Sequence, residues 1–296
     1  MTRPLRRPRR LAAAGFMLSA AALLAMTTLL SKLLTQSPNG DALHPMQVAA
    51  GRYGFALVAV LPVAAWSRPR VVAAAWPTHA GRTLFGWLGV TCLFAAAALM
   101  PLAEATAISF MSPVAAMLFA LVCFDDRPGP SRWLAVGVAL AGALMLLRPG
   151  TAAFQPAALV AFASALFAGA EAIFMKRLSG REPILRIMLI DNALGLPLAL
   201  LFAASVWVVP SGPQWALLAG LGAAMAASQA CVFAALRRAR ASFVMPFFYT
   251  TLAFAALYDL LVFDVRPSLL GVVGALTIVG GLLLFAVDEA GDSAGR

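Results

Sequence analysis

The chain is 296 residues long, 62% hydrophobic and only 11% charged, with a mean hydropathy of +0.89 and a formal net charge of +10. An average soluble domain is about 25% charged, so lipid rather than water is the solvent for most of this surface. Cys92, Cys123 and Cys231 lie in apolar runs without C-x-x-C spacing, so neither a disulfide frame nor a zinc site follows from them.

A basic tail comes first, residues 1–10, with Arg3, Arg6, Arg7, Arg9 and Arg10. The apolar stretch after it runs from Leu11 to Leu34, long enough to span a bilayer and too long for a cleaved signal core, and is expected to be a retained first helix. Breaks at Pro, Gly, Arg and Asp then divide the sequence into ten candidate spans, at 11–34, 46–66, 83–100, 102–123, 133–148, 154–175, 187–208, 214–236, 242–263 and 269–287. Only Met100-Pro101 separates the third from the fourth, but together they measure about twice one crossing, and Pro101 supplies the turn.

Orientation tests this count, because Lys and Arg gather on the cytoplasmic side. With the N-terminus inside, the inner segments hold the basic tail, Arg68, Arg70, Arg82, Arg127, Arg132, Lys176, Arg177, Arg181, Arg186, Arg237, Arg238, Arg240 and Arg296. The outer side keeps Lys32, Arg52, Arg148 and Arg266. A ten-span protein of the inner membrane with both termini cytoplasmic is therefore expected. The positive charge then faces anionic membrane lipid, and no nucleic-acid partner is called for.

Phe124-Asp125-Asp126-Arg127-Pro128 recurs 139 residues later as Phe263-Asp264-Val265-Arg266-Pro267, and the same offset aligns Gly142 with Gly281 and Leu144 with Leu283. Each half then carries five spans, an odd number, so the second must enter the membrane upside down. The expected fold class is an all-α membrane protein of ten transmembrane helices arranged as two inverted five-helix repeats, 1–150 and 151–296.

The stretch from Pro101-Leu102-Ala103-Glu104-Ala105-Thr106 through Ser112-Pro113, continuing to Asp126-Arg127-Pro128 and Arg132-Trp133-Leu134-Ala135-Val136, resembles the EamA family of the drug/metabolite transporter superfamily. Leu147-Arg148-Pro149-Gly150, His44-Pro45-Met46-Gln47 with Arg52, Ala241-Ser242-Phe243-Val244-Met245-Pro246-Phe247-Phe248-Tyr249-Thr250 and Gly280-Gly281-Leu282-Leu283 are similar to that family as well. The resemblance covers essentially the whole chain and implies fold and transporter class without naming a substrate. Phe248, Asp259 and Val265 depart from it, standing where the family often has an acidic residue, a glycine and a glutamate.

An ionisable side chain at mid-bilayer costs roughly 2.5–3.5 kcal/mol on insertion scales, so the few kept inside spans are the first candidates. Glu171 and Asp191 lie near the inner ends of the sixth and seventh spans, at similar depth. As a carboxylate pair they suit proton coupling; paired instead with Lys176, Arg177 or Arg186 they close the inner side. Lys32, Arg52 and Glu104 fall near the outer ends of the first, second and fourth spans, where together they would contact a zwitterionic or anionic substrate, with Asp259 as a possible fourth member. For Lys32 the plainer reading is snorkelling to the headgroups, and for Asp259 an interfacial position.

Pro113 and Gly195-Leu196-Pro197 are candidate kinks beside a cavity. Asn192, Gln229 and Tyr249 supply uncharged donors and acceptors, or simply helix-to-helix hydrogen bonds. Small residues at Gly137, Ala141, Gly142, Gly271, Gly274, Gly280 and Gly281 allow close helix approach, as scaffold or as the surface of a homodimer. Trp66, Trp87, Trp133, Trp207 and Trp215 lie near span ends, as interfacial anchors do.

The function expected from these features is a secondary transporter of a small metabolite, amino acid or drug working by alternating access, with export as the expected direction. No G-x-x-x-x-G-K-[ST] is present to bind ATP, and no cofactor is implied. A membrane-embedded enzyme acting on lipid or peptide is the alternative, but H-E-x-x-H and G-x-S-x-G are both missing. A non-transporting membrane subunit is the third reading.

Overall fold

The computed structural model describes residues 7–36, 41–67, 75–124, 129–147, 155–178, 182–238, 244 and 247–294, and every extended element among them is helical. The helices are α1 (Arg7–Thr35), α2 (Pro45–Ser67), α3 (Trp76–Leu99), α4 (Leu102–Ser109), α5 (Ser112–Phe124) and α6 (Pro130–Leu147). They continue as α7 (Pro156–Leu178), α8 (Ile184–Ala203) with a 3-10 turn at Ala204–Val206, α9 (Gly212–Leu236), α10 (Thr251–Phe263) and α11 (Leu269–Ala294). Seven segments are long and apolar enough to cross a membrane by length and composition, and Trp133–Leu146, Thr251–Phe263 and Leu269–Leu284 are shorter apolar helices. We call the end where α1 begins basal and the opposite end apical.

Ala, Leu and Met dominate these segments and favour helix intrinsically; their ends are set by local chemistry. Pro77 occupies the first turn of α3, where a missing N–H costs nothing. This start lies seven residues before the expected 83, and it draws Arg82 into the helix. At α9 the backbone N–H of Ser211 donates to Gln214 Oε1 at 2.9 Å, while Gln214 Nε2 donates to the carbonyl of Asp41 at 2.7 Å, so one side chain caps α9 and ties it to the α1–α2 connection.

The fourth expected span is not one helix. It is interrupted at Phe110–Met111, because Pro113, second residue of α5, has no N–H with which to continue the ladder from α4. Pro113 thus follows a two-residue turn within an apolar segment, Leu102–Leu121, that is long enough to cross a membrane. A second turn, Tyr249–Thr250, precedes α10, and the two breaks meet: the Phe110 ring stacks on Phe248 at 5.9 Å and meets Tyr249 edge-on at 5.7 Å. Gly195-Leu196-Pro197 produces no such interruption, since α8 runs through it.

Packing pairs α1 with α9, α3 with α7, α2 with α8 and α6 with α11. Helices α6 and α11 touch backbone to backbone. A Cβ on Gly142 would lie 2.7 Å from the Gly274 carbonyl oxygen, and one on Gly281 would lie 2.7 Å from the Ala139 nitrogen. The small-residue face is therefore spent inside the chain, although Gly137 and Gly280 face open space. Trp66, Trp133, Trp207 and Trp215 are exposed as anchors should be, but Trp87 is buried and stacks on Phe202 at 4.7 Å, because the early start of α3 carries it into the interior.

Helix limits repeat along the chain. Adding 139 to the limits of α2 gives those of α8 with its 3-10 turn; adding it to those of α5 gives α10, and to the first residue of α6 the first residue of α11.

Candidate functional site

The strongest concentration of buried charge lies toward the basal end, between α3, α7 and α8. Arg82 Nη1 stands 2.8 Å from Asp191 Oδ1, and Arg82 Nη2 stands 3.4 Å from Glu171 Oε1. The Thr83 hydroxyl donates to the same Asp191 oxygen at 3.1 Å. Glu171 and Asp191 do come together, as their depths suggested, but the cation between them is Arg82. Arg186 pairs instead with Glu182 at 3.2 Å, and Glu182 in turn meets His79 Nε2 at 3.0 Å, one layer nearer the basal surface.

The two carboxylates differ in environment. Asp191 is buried and held by two partners, whereas the Glu171 side chain keeps 29% of its surface accessible while lying against Gly86 of α3. Buried charges persist only when paired and hydrogen-bonded. Asp191 satisfies that demand; Glu171 is the carboxylate with room to exchange a partner.

Arg52, expected near the outer end with Lys32 and Glu104, is buried and forms no ion pair with Glu104. Its guanidinium lies over the Tyr53 ring at 4.4 Å. Tyr53 lies on the face of α2 that packs toward α8, where Gly195 leaves the space that the Tyr53 ring fills.

A second constellation sits at the apical end. Lys32 and Asp259 form an ion pair at 3.3 Å, with Lys32 4% and Asp259 2% exposed. Lys32 Nζ also donates to the Met100 carbonyl at 3.2 Å and lies 4.5 Å from the centre of the Phe263 ring, while Asp259 Oδ2 accepts the Ala103 N–H at 3.1 Å. Lys32 therefore does not snorkel to the headgroups, and Asp259 is not merely interfacial. Together they tie α1 to α10 and grip the turn between α3 and α4.

Beside this pair, between α4, α10 and α11, opens a largely apolar cavity of about 560 Å³ lined among others by Glu104, Gln155, Tyr249, Asp259 and Arg266. Glu104 is buried and lies against Gly271, where an added Cβ would come within 2.7 Å of its carboxylate. Of the remaining candidates, Asn192 is buried beside Asp191 and donates to the Met188 carbonyl of its own helix at 2.8 Å. Gln229 is half-buried on α9 and joins neither constellation, and Pro113 does not line the apical cavity.

Arg82, Tyr53, His79 and Glu182 are site neighbours that the sequence reading did not single out, whereas Arg186 was expected as a partner of Glu171 or Asp191 and is found on Glu182. Trp76-Pro77 was the available signal for Arg82 and His79: a proline in a helix's first turn marks the start, and counting from it places both residues inside α3.

The chain matches the model of the EamA-like transporter family over residues 11–148 and again over 155–287. It is 31% identical to the riboflavin transporter of Rhizobium johnstonii over 80% of this chain and 80% of that protein. It is 31% identical to the pseudopaline exporter CntI of Pseudomonas aeruginosa over 69% and 70%. With the S-adenosylmethionine uptake transporter of Rickettsia prowazekii it shares 24% identity over 84% and 85%. A solved structure described as "Crystal structure of protein" superposes with a TM-score of 0.58 at 22% identity, covering 92% of this chain and 95% of that one, and shows the fold alone. A multi-pass helical bundle with charge kept in its interior, matched by a transporter family nearly end to end, is a transporter and not an enzyme: the chain belongs to the EamA-like transporter family.

Proposed function

We propose that this protein is a ten-helix secondary carrier that moves a small polar metabolite across the inner membrane by alternating access, its halves 1–150 and 151–296 being inverted five-helix copies. The 139-residue recurrence of helix limits supports the repeat, as does reciprocal packing, in which α1 lies on α9 as α7 lies on α3. Among the described residues, Lys176, Arg177, Arg186, Arg237 and Arg238 stand at the basal ends of α7, α8 and α9, which supports a cytoplasmic basal face.

One observation carries the proposal: Arg82, Asp191 and Glu171 converge in a bundle whose outer surface is apolar. A structural helix bundle has no need of three ionisable groups in its interior, whose insertion is costly; a pathway for a polar solute does. Glu171, the carboxylate left partly accessible, is the group we assign to proton coupling, while Asp191 is held by Arg82 and Thr83. Opening the apical side requires parting Lys32 from Asp259, because that pair joins α1 to α10.

Relatives are named for uptake and for export, so direction is read from the sign of accumulation. In proteoliposomes carrying the purified protein, a proton gradient is expected to drive accumulation of at least one solute from a panel of amino acids, nucleosides, vitamins and organic cations. Glu171→Gln is expected to abolish gradient-driven accumulation while retaining solute exchange. Absence of flux for every solute under every gradient refutes the carrier, and retained accumulation in Glu171→Gln refutes its coupling role.

A further inference from the structure

The apical cavity of about 560 Å³ has two ends of unlike chemistry. Glu104, Gln155, Arg266 and Ser268 line it at the apical level, where α4 and α7 begin and α10 gives way to α11. Below them the walls are Leu252, Ala253 and Ala256 of α10 with Val272, Leu276 and Val279 of α11. From Ser268 to Val279 the chain descends about 16 Å at 1.5 Å per residue, which is about half of a hydrocarbon core and so the depth of one leaflet. Val272 and Leu276 are 41% and 65% exposed, so the cavity opens sideways on the apolar outer face of α11. A space with a polar head end, an apolar shaft and a lateral mouth has the shape of a lipid rather than of a water-soluble solute.

The head end selects among lipids. Gln155 Oε1 is buried with no hydrogen-bond partner, an acceptor whose desolvation goes uncompensated. Glu104 adds a buried carboxylate; a carboxylate accepts several bonds at once, so it keeps its contacts within the chain and still has room for a donor. Arg266, exposed at the rim, supplies a guanidinium of the kind that holds phosphate. Acceptors inside and a cation at the rim call for N–H donors next to a phosphate. We infer that this cavity binds one molecule of phosphatidylethanolamine, with its ammonium on Glu104 and Gln155, its phosphate on Arg266 and one acyl chain along the crevice between α10 and α11. Phosphatidylcholine carries a quaternary ammonium with no N–H to donate, and phosphatidylglycerol brings no cation to the carboxylate. Asp259 lines the same cavity, so the bound lipid stands beside the Lys32–Asp259 pair. Such a site requires only that the protein lie in a bilayer, whatever it carries.

The test is native mass spectrometry of the full-length protein in detergent, offered dioleoyl phosphatidylethanolamine, phosphatidylcholine and phosphatidylglycerol in equal amounts. One phosphatidylethanolamine per chain is expected to be retained about tenfold or more over either competitor, since hydrogen bonds to charged groups are the strong ones. Glu104→Gln and Gln155→Leu should each narrow the preference for the ethanolamine over the choline lipid, and together bring the two to within about twofold. Arg266→Ala, at an exposed position that folding does not depend on, should weaken retention of all three phosphate-bearing lipids by about fivefold. Ala253→Phe, at an exposed position on the cavity wall, should fill the crevice and remove the bound lipid.

Equal retention of the ethanolamine and choline lipids by the native protein overturns the inference. So does an ethanolamine preference that survives in the Glu104→Gln, Gln155→Leu double variant, or a bound lipid indifferent to both Arg266→Ala and Ala253→Phe. No retained lipid, with a dimer that Ala253→Phe dissociates, would overturn it by giving this face to a second copy of the chain.

Discussion

The two ends of this bundle hold their buried charge differently. Toward the basal end one arginine is shared by two carboxylates from α7 and α8, and one of those carboxylates remains partly accessible. At the apical end one lysine and one aspartate are buried together, and backbone groups from the α3–α4 turn complete their coordination. The first is a network that tolerates exchange of a partner; the second is a closed clasp. The carrier proposed above would use both, the first as a site that exchanges partners and the second as a latch.

Substitution can break that comparison, and the largest effect is expected in the basal network. Arg82→Ala strands Asp191 and Glu171 together without a cation, which should cost about 3–5 kcal/mol of stability and appear as a large drop in thermal midpoint or as loss of folded protein. A loss below about 1 kcal/mol would mean that the network is hydrated and structurally idle.

The apical clasp should respond asymmetrically. Asp259→Ala leaves Lys32 with one carbonyl and one ring, whereas Lys32→Ala leaves Asp259 still accepting the Ala103 N–H. The first should therefore lose more, about 2–4 kcal/mol against about 1–2. The double variant Lys32→Met with Asp259→Leu should recover most of that stability, since an apolar pair can replace a buried ion pair, yet it should slow flux by removing a latch that opens reversibly. Equal losses in the two single variants would show that the backbone contacts contribute nothing.

Away from both ends, Gly142→Ala forces a methyl against the α11 backbone and should cost about 1–3 kcal/mol. Gly137→Ala, with open space around it, should be neutral or stabilising by up to about 1 kcal/mol. The smallest effect belongs to Gln47, whose side chain accepts the Val208 N–H at 3.1 Å and donates to the Val208 carbonyl at 2.6 Å. Gln47→Ala should lose about 1 kcal/mol and, if the apical end opens during transport, should alter flux more than stability.

Much of the architecture was legible in the residues. Apolar runs of bilayer length gave the spans, and the Phe-Asp-x-Arg-Pro recurrence gave an offset that the helix limits repeat. Where the reading missed, the causes are local. A proline starting a helix was passed over in favour of hydropathy, so α3 was begun seven residues late and Arg82 was left in a loop. Pro113, expected as a kink, stands just after a two-residue turn at Phe110–Met111 that hydropathy does not reveal.

By itself the sequence determined that the chain is helical and apolar along most of its length and which residue types lie inside its apolar segments, because hydrophobic length and charge exclusion are properties of single segments. Which charge meets which was decided by the tertiary structure alone. Helix rotation and crossing set the partners: they gave Lys32 to Asp259 and lodged Arg82 between Asp191 and Glu171. Those pairings are separated by tens to hundreds of residues along the chain, so no local pattern encodes them.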